Sequence, residues 1–95
     1  MYCYHGYHAT NELSEIRHSG EVKPMRLPCV YLFTDIDAAK RYCDEFGYSG
    51  VVKVAYMSCD IAGRWKPKYC FRGGVVRLKP GATADYIQVA WTRKC

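Results

Sequence analysis

The residues best suited to chemistry in this 95-residue chain are a His-Gly step near its start, a tyrosine on a central helix and an aspartate near its end. The start reads Tyr2-Cys3-Tyr4-His5-Gly6-Tyr7, an aromatic run broken at His5 and Gly6. A glycine inside a strand weakens it and often marks a close approach by a ligand or another backbone. A lone strand histidine is, by itself, more often a hydrogen-bonded structural residue than a ligand-binding one. Tyr42 lies in line with Ala39, Cys43 and Phe46, where it can serve the core or touch a ligand. Asp85 is the only acid after Asp60 and precedes Tyr86-Ile87; its ordinary reading is a turn aspartate bonded to nearby backbone. Arg77 stands between Val76 and Leu78, which reads as a solvated strand face or as a phosphate clamp.

The six cysteines (Cys3, Cys29, Cys43, Cys59, Cys70 and Cys95) contain no C-x-x-C pair, which argues against zinc held by paired knuckles. Their even number permits a disulfide scaffold. The chain opens without a basic segment and apolar stretch of the secretory kind, so reduced cysteines in a cytoplasmic protein are expected. No P-loop, Rossmann glycine fingerprint, H-E-x-x-H or G-x-S-x-G occurs. No metal site is expected.

The elements that must position these residues follow from pattern. The aromatic opening predicts a strand. A helix follows, with Thr10 or Asn11 as cap, Leu13 and Ile16 on one side, Glu12 in the first turn, Arg17 and His18 in the last, and Gly20 as the stop. Pro24 and Pro28 mark Glu21 to Pro28 as a connection. Val30 to Phe33 predicts a short strand. Thr34 is the expected cap of a second helix, with Asp35 and Asp37 in its first turn and Gly47 as its stop. Val51 to Met57 is an expected strand and Asp60 to Pro67 an expected loop. Lys68 to Phe71 and Val75 to Leu78 predict strands joined through Arg72-Gly73-Gly74. Pro80-Gly81 predicts a turn. Tyr86 to Trp91 predicts a strand with Ile87, Val89 and Trp91 on one face, and Arg93 to Cys95 a tail. The order implies one α+β domain over residues 1–95, with two helices and a mostly antiparallel sheet.

Composition bounds the partners. Hydrophobic residues make up 49% and aromatics 15%, as in a globular chain able to bury a modest core. Fourteen Lys and Arg against nine Asp and Glu favour a phosphate-bearing ligand or an acidic partner. The basic residues are too scattered to argue for nucleic acid, and no run has the length of a membrane span.

Three separated pieces together resemble one family. They are Tyr4-His5-Gly6; Val30 to Asp35 running into Ala38-Ala39-Lys40-Arg41-Tyr42-Cys43; and Ala84-Asp85-Tyr86-Ile87. Their order resembles the ADP-ribosyltransferase superfamily in its His-Tyr-Glu branch, and the opening through Gly20 is similar to small phage-encoded ADP-ribosylating anti-CRISPR proteins. The second half is similar to the RNA 2′-phosphotransferases of the same fold. The resemblance implies a small ADP-ribosyltransferase-like fold that uses NAD as substrate and modifies a protein, with a host immune complex as the expected target. It implies that His5 bonds the ribose beside nicotinamide, Gly6 approaches the nicotinamide amide, and Tyr42 stacks on the ring with Tyr31 or Phe33 helping. Arg77 would hold phosphate, and Asp85 would be the catalytic carboxylate, since no glutamate follows Glu45. An RNA 2′-phosphotransferase-like enzyme and a non-catalytic inhibitor on the same fold are the alternatives.

Overall fold

The structure, a computed structural model, describes residues 1–25, 28–65 and 74–93. The elements are β1 (Tyr2–Tyr7), α1 (Thr10–Ser19), β2 (Glu21–Val22), β3 (Tyr31–Phe33), α2 (Ile36–Phe46), β4 (Gly50–Ala55), β5 (Ile61–Trp65), β6 (Val75–Leu78) and β7 (Ala84–Thr92). The strands form one curled sheet in the order β2-β7-β4-β1-β3-β6-β5, with every described pairing antiparallel. This is the α+β architecture expected, with two helices.

Strand periodicity sends alternate side chains to opposite faces, and here both faces are buried. Cys3, Tyr7, Leu32, Val52, Val54, Val76 and Leu78 pack with Leu13 and Ile16 of α1. Tyr4, Phe33, Val51 and Val75 pack with Ala38, Ala39 and Cys43 of α2. One helix therefore covers each face. Among the described residues no helix is long and apolar enough to cross a membrane.

Both helices stop where glycine permits the left-handed backbone, Gly20 at φ 77° and Gly47 at φ 71°. Their starts differ from expectation. Ala9, not Thr10 or Asn11, is the N-cap of α1 and offers no side-chain cap; the Glu12 carboxylate instead accepts from the His8 N–H at 2.6 Å. Asp35, not Thr34, caps α2 by accepting from the Asp37 N–H at 3.0 Å. Thr34 is drawn elsewhere: its hydroxyl accepts from the Gly74 N–H at 2.8 Å and donates to the Gly74 carbonyl at 3.1 Å.

Three further segments depart from the sequence reading. Glu21–Val22 is a short strand against Ala84 and Asp85. Ile61–Trp65, expected as loop, is an edge strand on β6 whose register slips between Ile61 and Gly63. In β7 the register against β4 shifts twice, so Tyr86 and Val89 reach the α1-side core, Ala90 and Trp91 the α2-side core, and Ile87 is 45% exposed. The expected strand Lys68 to Phe71, the Arg72-Gly73 turn, Cys70 and Cys95 lie outside the described residues. Cys3, Cys29, Cys43 and Cys59 are free thiols.

Candidate functional site

The sheet has a seam. β1 and β4 run in continuous register from Tyr2 opposite Ala55 to Tyr7 opposite Gly50. β1 and β3 are registered only at Tyr4 opposite Phe33. Beyond that point the two strands part, and the contact between them passes to a side chain: His5 Nδ1 lies 3.0 Å from the Tyr31 carbonyl. At this parting lies a cavity of about 820 Å³. That volume is in the range of small-molecule sites.

Because the strands separate, the cavity takes its lining from both sides of the sheet. α1 contributes Asn11, Glu12 and Glu15, and the stretch between β2 and β3 contributes Lys23, Pro24, Met25 and Cys29. The α2 side contributes Phe33, Tyr42, Tyr48 and Val75, while His5, Gly6 and Tyr31 stand at the parting itself. Five of the residues expected at the site (His5, Gly6, Tyr31, Phe33 and Tyr42) thus meet in one place from three separated segments.

His5 is set up as a hydrogen-bond acceptor. A carbonyl can only accept, so Nδ1 carries the proton that bonds Tyr31. Burial lowers the pKa of His5 below the ordinary histidine value, against the opposing influence of the Tyr31 hydrogen bond and of the Glu12 charge. The neutral ring therefore presents Nε2 as a lone pair, suited to a ligand hydroxyl. The Glu12 carboxylate lines the same cavity as His5. Its hydrogen bond to the His8 N–H fixes one end of the carboxylate and leaves further acceptor capacity.

The aromatic wall is a mutual packing of rings. Tyr42 lies with its ring centroid 5.2 Å from Phe33, 4.7 Å from Phe46 and 5.2 Å from Tyr48. Burial first, then its hydrogen bond with Tyr48, push the Tyr42 phenol up to about 12, so it stays neutral. Tyr42 thus belongs to the core and to the cavity at once. His8 adds an edge contact to Tyr48 at 5.0 Å.

Gly6 has a packing reason for being glycine. A Cβ there would stand 3.3 Å from both Cys43 Sγ and a carbon of the Tyr48 ring. The tight contact is with α2 and the turn after it.

Two expected residues stand apart. Asp85 is exposed on β7, opposite Glu21 and Ala55, and does not line the cavity. Arg77 lies on β6 opposite Tyr31 and likewise does not line it; the residue is half-buried with Nε fully enclosed, not a solvated strand face. Glu12 and Glu15 were not expected here. In the sequence Glu12 reads as a first-turn charge on a helix, and the bend at His8-Ala9 turns α1 so that Glu12 joins the cavity lining. Among the described residues, no three His, Cys, Asp or Glu side chains gather as metal ligands.

No family model, no curated protein and no solved structure matches this chain.

Proposed function

We propose that the cavity at the β1–β3 parting binds NAD and that the protein transfers ADP-ribose from it to a protein acceptor. The observation that carries this reading is the convergence of His5, Gly6, Tyr31, Phe33 and Tyr42 on a single cavity. In such a reaction the bond between ribose C1′ and the nicotinamide nitrogen breaks, and its electron pair leaves with neutral nicotinamide. The positive charge left on the ribose is captured by an acceptor nucleophile, which loses its proton. His5 Nε2 would accept from a ribose hydroxyl, and Tyr31, Phe33 and Tyr42 would offer ring faces to nicotinamide.

A carboxylate must lie where that positive charge develops. Asp85 stands outside the cavity, so Glu12, held by the His8 N–H beside His5, takes that role in this reading. The same displacement of Asp85 favours a second reading, a non-catalytic binder that inhibits a partner through this cavity or its rim. The acceptor's assignment to a host immune complex, met in the cytoplasm, rests on the resemblance to phage enzymes alone. With Arg77 outside the cavity, nothing in the site favours the 2′-phosphotransferase alternative.

The test is nicotinamide release from NAD, with and without a host-cell lysate, alongside intact-mass detection of added ADP-ribose. The parent chain should release nicotinamide and label a protein. His5→Ala should lose the thermal stabilisation that NAD gives by mass action. Glu12→Gln should still bind NAD but release nicotinamide about 10²-fold more slowly, the scale of losing one preorganised electrostatic group. Asp85→Asn should act as the parent does. Thermal stabilisation by NAD without any release would select the binder. No stabilisation and no release would reject NAD as the ligand.

A further inference from the structure

The walls of this cavity differ in character, and the difference bears on charge. On the α2 side and at the parting the rings of Tyr31, Phe33, Tyr42 and Tyr48 line it. On the α1 side the charged groups are Glu12 and Glu15. Lys23 is the one Lys or Arg among the described lining residues, and its Nζ lies 3.5 Å from the Glu21 carboxylate, which offsets its charge. Aromatic ring faces attract cations through their quadrupole, and a carboxylate attracts them directly. Both kinds of lining therefore act in the same direction on a ring bound in the cavity.

We infer that the cavity selects a positively charged aromatic ring over a neutral ring of the same shape. The ligand class is a pyridinium or a similar cationic heteroaromatic. This deepens the NAD reading by predicting preference for the oxidised, cationic nicotinamide, but it rests on the cavity walls and does not need NAD to be the ligand. Glu12 is the principal carboxylate, since its position is fixed by the 2.6 Å bond to the His8 N–H, whereas Glu15 is exposed. Four aromatic side chains in the lining suit a flat guest.

The experiment uses the full chain and two small probes, N1-methylnicotinamide, a cation, and nicotinamide, its neutral counterpart. Binding is followed by titration of the protein's amide resonances. The cation should bind about tenfold or more tightly than the neutral ring, with perturbations at His5, Gly6 and Tyr31. Glu12→Gln keeps an amide oxygen to accept from the His8 N–H, so it should fold, which circular dichroism checks. It should bring the two probes to within about threefold of each other. Glu15→Gln should narrow the ratio less. Equal binding of both probes by the parent, tighter binding of nicotinamide, binding of neither, or an unchanged ratio in folded Glu12→Gln would each overturn the inference. Cation preference in a chain that neither binds nor consumes NAD would uphold it and reject the proposed function.

Discussion

His5 couples site and stability through one proton. Its pKa is lowered chiefly by burial, so the native chain resists a proton that the unfolded chain accepts at the ordinary histidine value of 6.5. The unfolded state then binds more protons, and stability rises with pH across that window. Lowering the pH through 6.5 should therefore destabilise the protein until the folded-state pKa is passed. Urea midpoints at about pH 7.5 and about pH 5 should differ less in His5→Gln than in the parent. An equal fall in both would show that other groups carry the effect. The sequence made His5 and Tyr42 legible because residue type and periodicity announce them: a polar ring in an aromatic strand, a tyrosine on an apolar stripe. Glu12 was not legible as a site residue. Its type and place satisfy a helix start completely, and its place in the cavity lining depends on how α1 packs on β1.

At the scale of elements, the junction of α2 with β4 and β7 is where single substitutions should cost most. A Cβ on Gly50 would collide with the Tyr7 hydroxyl oxygen and come within 2.5 Å of the Trp91 carbonyl oxygen, and the latter is backbone that cannot turn aside. Gly50→Ala should destabilise by about 1–3 kcal/mol, the usual range for overpacking. Gly6→Ala, with its nearest contacts at 3.3 Å, should cost distinctly less. Comparison of the two urea midpoints checks the order. The sequence drew attention to Gly6 because it interrupts a strand pattern, and passed over Gly50 because it precedes one.

Arg93, read as a tail residue, is the other fastener. Its guanidinium donates to the Cys43 carbonyl and, at 2.9 Å, to the Tyr48 carbonyl, with Asp44 at 3.4 Å. These carbonyls belong to the last turn of α2 and the turn after it; the Cys43 carbonyl also accepts from the backbone N–H groups of Gly47 and Tyr48, so Arg93 ties an already capped helix end to β7. Arg93→Ala should cost about 1.5–3 kcal/mol, the scale of hydrogen bonds to a charged group, and urea unfolding would show it. A change within about 0.5 kcal/mol would make Arg93 an ordinary surface charge. Cys43 shares this corner. Burial, the larger influence, pushes its thiol up to about 11, so it remains an S–H directed at the Gly50 carbonyl, 3.4 Å away, and not a reactive thiolate. Helices and long strands were readable because their caps and periods are local. β2 and β5 were not, since a two-residue pairing and a slipped edge register are imposed by partner strands.

The whole molecule is a sheet whose halves meet at the seam where the cavity opens. One half is β2-β7-β4-β1 and the other β3-β6-β5, joined by the Tyr4–Phe33 register and the His5–Tyr31 bond. A core crosses beneath, where Leu32, Val76 and Leu78 pack with Cys3, Val52 and Val54. This seam could not be read from sequence, because strand patterns show what each strand buries but not where two strands part. Its consequence is a pattern in amide exchange. A ligand stabilises the native chain by RT ln(1 + [L]/Kd) against any opening that destroys its site, about 2.7 kcal/mol at a hundredfold excess over Kd. Openings that leave the site intact gain nothing. Separation of β3 from β1 destroys a cavity lined by His5, Gly6, Tyr31 and Phe33, whereas fraying of β7 near Thr92 does not. Hydrogen exchange with and without saturating N1-methylnicotinamide or NAD should therefore show slowing at Tyr31 to Phe33 and at His5, with Val89 to Thr92 little changed. Without ligand, the β3 amides should exchange faster than those of β4, whose register with β1 is continuous. Uniform slowing over the sheet would mean that the halves open only together, and that the parting of β1 and β3 is a rigid feature of one cooperative unit.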